Sequence, residues 1–124
     1  MHYDILLENE YAEYIDDPLV KQAHKYIVEI KKNISDYTFF PKGHGDLRDY
    51  RYMKNSAWHY ALAVNRKSLV LYFRKPSFSN PTVSEQQLLN AKLETTLNPS
   101  GEIKVKIYNL EQAKTLVRLV FHKA

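Results

Sequence analysis

The chain has 124 residues, 44% of them apolar and 26% charged, and its formal net charge is +4. This composition is typical of a globular domain, and the absence of cysteine excludes disulfides, thiolate zinc sites and cysteine nucleophiles. The first residues lack the basic and apolar segments of a secretion signal, and no apolar run approaches the ~20 residues of a membrane span, so we expect a single cytoplasmic domain over residues 1–124 that does not enter a membrane.

The N-terminal third of the chain is predicted to be helical. Residues 8–15 have the composition of a short helix that ends before Asp17. Asp17 is a typical N-cap, and Pro18 follows it at the first helical position, where proline is best tolerated. The apolar residues of this second helix recur every three or four positions: Leu19, Ala23, Ile27, Ile30 and Ile34. This spacing predicts a helix that buries one face.

The middle of the chain is predicted to contain the sheet. Residues 37–40 have the β-branched and aromatic content of a short strand, and we expect residues 42–54 to form a loop. Residues 58–64 and 69–75 predict an antiparallel hairpin that is central in its sheet, because both of its faces are fairly apolar. Strand alternation places Trp58, Tyr60, Leu62 and Val64 on one face of its first strand. The residues of the hairpin that we assign to the core are Trp58, Tyr60, Leu62 and Phe73.

The C-terminal third adds a short helix, a strand and a longer helix. A capping box at residues 84–87 predicts a helix that ends near residue 91, and alternation at 103–107 predicts a half-buried strand. Asn109 caps a final helix over residues 110–121. The expected fold is therefore α+β, with two N-terminal helices, an antiparallel sheet of three to five strands and a C-terminal helix.

Charge is segregated along the sequence. Residues 1–40 hold four Lys or Arg and eight Asp or Glu, whereas residues 41–76 hold eight and two. Aromatic residues are interleaved with the cations of the second segment, a combination that suits a polyanion with stackable bases. The acidic segment either leaves this basic segment free to bind or folds over it and neutralises it, and the sequence leaves both alternatives open.

The first functional hypothesis is therefore binding of RNA or DNA. Aromatic residues that follow the alternating pattern of a strand are expected to be buried in the core. We therefore expect the ligand contacts in the loop 42–54 and at the end of the second hairpin strand. The predicted nucleic-acid-binding residues are Lys42, Arg48, Arg51, Tyr52, Lys54, Arg74 and Lys75. Lys104 and Lys106 would extend this set if their strand lies beside the hairpin.

The second hypothesis is a metal-independent, RNA-cleaving enzyme that acts by general acid–base catalysis. Such a site needs a base, an acid and cations around the phosphate. The candidate catalytic residues are Arg48, Arg51, His59 and His44. No motif in the chain defines a reaction, so we expect a binding protein without a cofactor or metal rather than an enzyme.

One family resemblance bears on the second hypothesis. Residues 45–51, Gly-Asp-Leu-Arg-Asp-Tyr-Arg, precede the hairpin segments 58–64 and 69–72. These segments are similar to RelE-type ribonuclease toxins, in which a glycine-containing segment ending in Tyr-Arg leads into antiparallel strands after one or two helices. The resemblance implies RNA cleavage, with Arg48, Arg51 and His59 as candidate catalytic residues.

A third hypothesis is a protein-interaction or inhibitor module. The acidic first segment contains Tyr11, Tyr14 and Ile15 among several carboxylates, which makes it amphipathic. It could dock a basic protein partner or a second copy of the chain. The alternative is that these three side chains pack on the body of the domain, and this is the interpretation that we favour.

Overall fold

The structure of the chain is a computed structural model that describes residues 3–43, 45–79 and 83–122. In chain order its helices and strands are α1 (Ile5–Tyr14), α2 (Pro18–Ile30), β1 (Thr38–Pro41), β2 (Asp49–Lys54), β3 (Ala57–Val64), β4 (Leu69–Phe73), α3 (Glu85–Asn90), β5 (Glu94–Leu97), β6 (Ile103–Ile107) and α4 (Leu110–Phe121). Short 3-10 helices at Lys31–Asn33 and Lys75–Ser79 follow α2 and β4. The predicted α+β class is confirmed.

Capping side chains set where the helices begin. The Asp17 carboxylate accepts hydrogen bonds from the amides of Leu19 and Val20, so α2 starts at Pro18 as predicted. The predicted caps of α3 and α4 are also present. The first helix begins earlier than residue 8, because Asp4 caps α1 by accepting from the amide of Leu7.

The apolar stripes of α2 and α4 are buried except at Leu19, which is exposed, and Ile30, which is partly buried. The apolar stripe of α4, Ala113, Leu116, Val117 and Val120, is at most 2% exposed. In α2, however, Leu19 is 54% exposed, and the neighbouring Val20 is fully buried in its place. Leu19 lies in the first turn of the helix.

The sheet has six antiparallel strands in the order β1-β2-β3-β4-β6-β5. The predicted hairpin, β3 with β4, is central, but the strand count exceeds the expected three to five. The expectation of a loop over 42–54 needs correction, since residues 49–54 form β2 and hydrogen-bond to a strand on each side. Strand β6 lies beside β4, which meets the condition set for Lys104 and Lys106.

The core lies between one face of the sheet and helices α2 and α4. Alternate strand residues supply the sheet side of this core, including Tyr50, Leu62, Leu71 and Val105, which pair across β2, β3, β4 and β6. The residues between them point to the opposite face, which we call the open face. On the open face, β2 and β6 contribute charged residues, whereas the central strands β3 and β4 contribute Ala61, Ala63, Val70 and Tyr72.

A β-bulge in the pairing of β2 with β3 changes the expected position of Trp58. Tyr52 pairs with Tyr60 but the next residue, Met53, pairs with Trp58, so His59 has no opposite residue. The bulge shifts the alternation by one residue. Trp58 therefore lies on the open face, and its assignment to the core was wrong, while His59 turns towards Tyr37 and Tyr60.

Candidate functional site

Two rows of paired residues cross the open face, perpendicular to the strands. The first, which we call the basic row, consists of Arg51, Ala61, Tyr72 and Lys104. The second, two residues further along each strand, is the mixed row of Asp49, Ala63, Val70, Lys106 and Glu94. Positive charge is thus concentrated in one row, and the neighbouring row contains both signs.

Two arginines stack on Trp58 from the strands on either side of it. The guanidinium carbons of Arg51 and Arg74 each lie 3.9 Å from the centroid of the indole ring. The indole nitrogen donates to the carbonyl oxygen of Tyr60 at 2.9 Å, which fixes the ring. The two cations consequently lie within about 8 Å of each other, and an anion placed near both would reduce their repulsion.

The contact with Trp58 fixes the position of the guanidinium groups of Arg51 and Arg74. The Nε atoms of Arg51 and Arg74 are buried and have no hydrogen-bond partner among the described residues. The side chains are half-buried overall. Contact with the indole ring, rather than hydrogen bonding at Nε, therefore holds the two guanidinium groups at this position.

The second half of the open face contains Tyr72 and two lysines. The Nζ atom of Lys104 lies 6.0 Å from the centroid of the Tyr72 ring. A cavity of about 420 Å³ opens here, lined in part by Tyr72, Lys104 and Lys106. A smaller cavity of about 160 Å³ lies on the other side of Tyr72 and is lined in part by Trp58 and Arg74. Cations and rings therefore alternate across the face.

Of the predicted binding residues, Arg51 and Arg74 are brought together. The other cations of the set lie elsewhere: Lys42 and Lys75 are exposed in segments outside the sheet, and the Nζ of Lys54 lies 5.7 Å from the Tyr37 ring. Tyr52 needs correction, because it is 2% exposed in the core and a buried ring cannot stack on a base. It was assigned to the ligand set only because its segment was predicted to be a loop.

Arg48 is engaged on the other side of the molecule. Its guanidinium carbon lies 3.6 Å from the centroid of the Tyr14 ring, and that of Arg66 lies 4.6 Å from the same centroid. The Lys67 ammonium donates to the carboxylate of Asp16 at 3.1 Å. Tyr14 and Asp16 of the acidic segment thus contact Arg48 and the cations of the hairpin turn.

The candidate catalytic residues do not converge. Arg48, Arg51 and His59 contact three different rings, those of Tyr14, Trp58 and Tyr37 respectively. Burial, and then the charge of Lys54, lower the pKa of His59. His44 lies outside the described residues. The arrangement therefore brings no general acid and base together among the three that can be located.

The docking hypothesis for the acidic segment rests on Tyr11, Tyr14 and Ile15. Tyr11 and Ile15 are at most 2% exposed, so these two side chains pack on the body of the domain, as the favoured interpretation predicts. The exposed apolar residues of α1 are instead Ile5 and Leu6, at 50% and 73%. A protein partner or homodimer at this segment stays a prediction.

Sequence reasoning missed Asp49, which is 6% exposed on the open face and lines the smaller cavity. The signal that could have identified its position is the alternation of polar and aromatic residues at 49–52, which is typical of a strand. Within residues 3–43, 45–79 and 83–122, no three acidic or histidine side chains are grouped as metal ligands would be. None of the helices in these ranges has the length and apolar character required to cross a bilayer.

Comparison of the chain with protein-family models, with curated proteins and with solved structures gives no match.

Proposed function

We propose that this protein is a cytoplasmic nucleic-acid-binding domain that holds a single strand on the open face of its sheet. The observation that supports the proposal is the set of cations and rings described above, with Arg51 and Arg74 stacked on Trp58 and Lys104 beside Tyr72. Cations that contact phosphates and rings that stack on bases are the two parts of single-strand recognition. Cations and rings both occur across the four adjacent strands β2, β3, β4 and β6. A nucleic-acid strand offers a phosphate and a base in every nucleotide, so both kinds of side chain would have a partner.

The geometry favours a single strand over a duplex. The basic row runs from β2 to β6 across three strand spacings, a span of about 14 Å at the usual distance between strands. Its side chains rise from a sheet surface, and the described elements place no helix on this face that could enter a major groove. The bases of a single strand are already unstacked, so they can contact Tyr72 and the two arginines on Trp58 directly.

The proposed site lies on the sheet, whereas the sequence predicted it mainly in a loop. It includes four of the predicted cations: Arg51, Arg74, Lys104 and Lys106. Tyr52 is not part of it, and Tyr72 is the residue that stacks on a base. Trp58 enters as a positioning residue, since both guanidinium groups already lie against its ring.

Salt-dependent binding of fluorescein-labelled U8 RNA and T8 DNA, followed by fluorescence anisotropy, tests this proposal. We expect binding at 20 mM salt whose dissociation constant rises steeply up to 300 mM, because cation–phosphate contacts release counterions. Replacing Lys104 and Lys106 together by Gln is expected to weaken binding about tenfold at low salt and to reduce the salt slope, by about 0.7 for each phosphate contact that is lost.

The matched control replaces Lys25 and Lys32 by Gln, since both are exposed and belong to the α2 side of the molecule. This control has the same net charge as the test variant but an intact open face. Equal weakening in both variants, or no binding of either oligonucleotide at 20 mM salt, would contradict the proposal.

A further inference from the structure

The larger cavity of the open face lies over β4, β6 and β5, where cations, a ring and a carboxylate meet. Its volume is about 420 Å³. Pockets for small molecules start at about 300 Å³, so this cavity can hold one nucleotide. Among its lining residues are Tyr72 of β4, Lys104 and Lys106 of β6, and Glu94 and Thr96 of β5. The cavity therefore has groups for a phosphate and a base, and it also has a carboxylate, which repels a phosphate.

The Glu94 carboxylate lies beside Lys106 and stays accessible to a ligand. Glu94 is the residue directly opposite Lys106 in the pairing of β5 with β6, and the Cβ atoms of such pairs are about 5 Å apart. The Tyr108 hydroxyl donates to the carboxylate and lies 3.0 Å from each of its two oxygens. This hydroxyl supplies one proton to a group with about four acceptor positions, and Glu94 is an exposed residue. The carboxylate can therefore accept a further hydrogen bond from a ligand in the cavity.

A ribonucleotide has the group that this pair of side chains can recognise. Within the strand, the sugar–phosphate backbone of DNA offers acceptor oxygens but no hydrogen-bond donor. RNA has a 2′-hydroxyl, which can donate, on the carbon next to the one that carries the 3′-phosphate. An ammonium group beside a carboxylate is therefore complementary to a 3′-phosphate beside a 2′-hydroxyl.

We infer that the larger cavity binds one ribonucleotide and that the open face prefers RNA to DNA, an inference that rests on the proposed function. Tyr72 stacks on the base, Lys106 contacts the 3′-phosphate, and Glu94 accepts a hydrogen bond from the 2′-hydroxyl. Lys104 contacts the phosphate on the other side of the nucleotide. The protein thus distinguishes the two nucleic acids by one hydroxyl group of the sugar.

Octamers that differ only in the sugar test this inference without any change to the protein. Fluorescence anisotropy at 20 mM salt compares U8 RNA with its 2′-deoxy, 2′-fluoro and 2′-O-methyl forms, all of which have uracil as the base. We expect U8 RNA to bind about tenfold more tightly than the 2′-deoxy octamer, because the latter lacks the hydrogen bond to a charged group. The 2′-fluoro sugar keeps an RNA-like conformation but cannot donate. We therefore expect the 2′-fluoro and 2′-O-methyl octamers to bind within about twofold of the 2′-deoxy octamer.

Two variants of Glu94 locate the preference in the cavity. Glu94→Ala removes the acceptor and is expected to reduce the RNA-over-DNA affinity ratio to within about twofold, whereas Glu94→Gln keeps a neutral acceptor and should give about threefold. Glu29→Ala is the matched control, since Glu29 is exposed on α2 and its loss changes the net charge equally, and its ratio should stay near that of the wild type. Circular dichroism and thermal unfolding identify any variant that fails to fold, in which case the sugar series and the remaining variant decide.

The two proposals fail in different ways. Absence of binding by all four octamers at 20 mM salt would overturn the proposed function, and the inference with it. Equal binding of the U8 and 2′-deoxy octamers, binding of the 2′-fluoro octamer as tight as that of U8, or an unchanged ratio in a folded Glu94→Ala variant would overturn only the preference for RNA.

Discussion

His24 lies in the core, 4% exposed, with its Nε2 atom 2.7 Å from the hydroxyl oxygen of Tyr50. Burial, and then the charge of Lys21, lower the pKa of His24 to about 4, so the ring is neutral near pH 7. Burial also raises the pKa of Tyr50, which keeps its hydroxyl protonated. The Tyr50 hydroxyl can therefore donate to the neutral imidazole, and this bond joins α2 to β2 inside the core.

Protonation of His24 is expected to destabilise the fold in a defined pH range. The unfolded chain takes up the proton near pH 6.5 and the folded chain only near pH 4, so the free energy of unfolding falls as the pH drops between these values, by at most about 1.4 kcal/mol per pH unit. Urea unfolding at pH 7, 6, 5 and 4.5 measures the fall. A His24→Gln variant should show a shallower fall than the wild type. Parallel curves for His24→Gln and wild type would exclude this role for His24.

The aromatic residues show where residue-level prediction succeeds and where it fails. Tyr60, Leu62 and Val64 are buried as strand alternation predicts. Trp58 departs from the same alternation because a bulge, which depends on pairing with another strand, has no signature in the residue types of β3 alone. For the same reason the stacking of Arg51 and Arg74 on Trp58 could not be predicted from the sequence.

At the level of secondary structure, the start of α2 gives a direct test of capping. Asp17→Ala removes the carboxylate that accepts from the amides of Leu19 and Val20, and should lower the free energy of unfolding by about 1 kcal/mol. Asp16→Ala is the adjacent control. The Asp16 carboxylate forms exposed ion pairs with Lys67 and Arg66, so its loss should cost less than about 0.5 kcal/mol. Urea unfolding curves distinguish the two variants, and equal losses would show that the cap does not stabilise α2.

The elements that could be predicted are those whose signal is local. Helices α2 and α4 have both a cap and an apolar stripe, and β3, β4 and β6 have a clear apolar pattern. Strand β2 was missed because its charged residues and the two preceding glycines are typical of a loop. Strand β5 was missed because it has four mostly exposed residues and is stabilised by pairing with β6. Since the site lies on β2, β3, β4 and β6, its cations could be proposed from the sequence but their arrangement could not.

At the level of the whole molecule, the acidic segment forms its ion pairs with cations of the turn between β3 and β4. Tyr14 lies under Arg48 and Arg66, and Asp16 pairs with Lys67, so the acidic segment covers the turn between β3 and β4. Arg51 and Arg74 lie on the other face, stacked on Trp58. One part of the basic segment, the hairpin turn, therefore pairs with the acidic segment. Under the proposed function, the cations of the open face attract a polyanion.

The central claim is that a nucleic-acid strand lies on the open face, and NMR chemical-shift mapping tests it most directly. Titration of isotope-labelled protein with U8 RNA at 20 mM salt should give the largest shifts at the Trp58 indole N–H, at the Nε–H groups of Arg51 and Arg74, and at the amides of β4 and β6. The indole signal is unambiguous because the chain has one tryptophan. Shifts confined to α1, α2 and the loop before β2, or no shifts at a saturating concentration, would contradict the account.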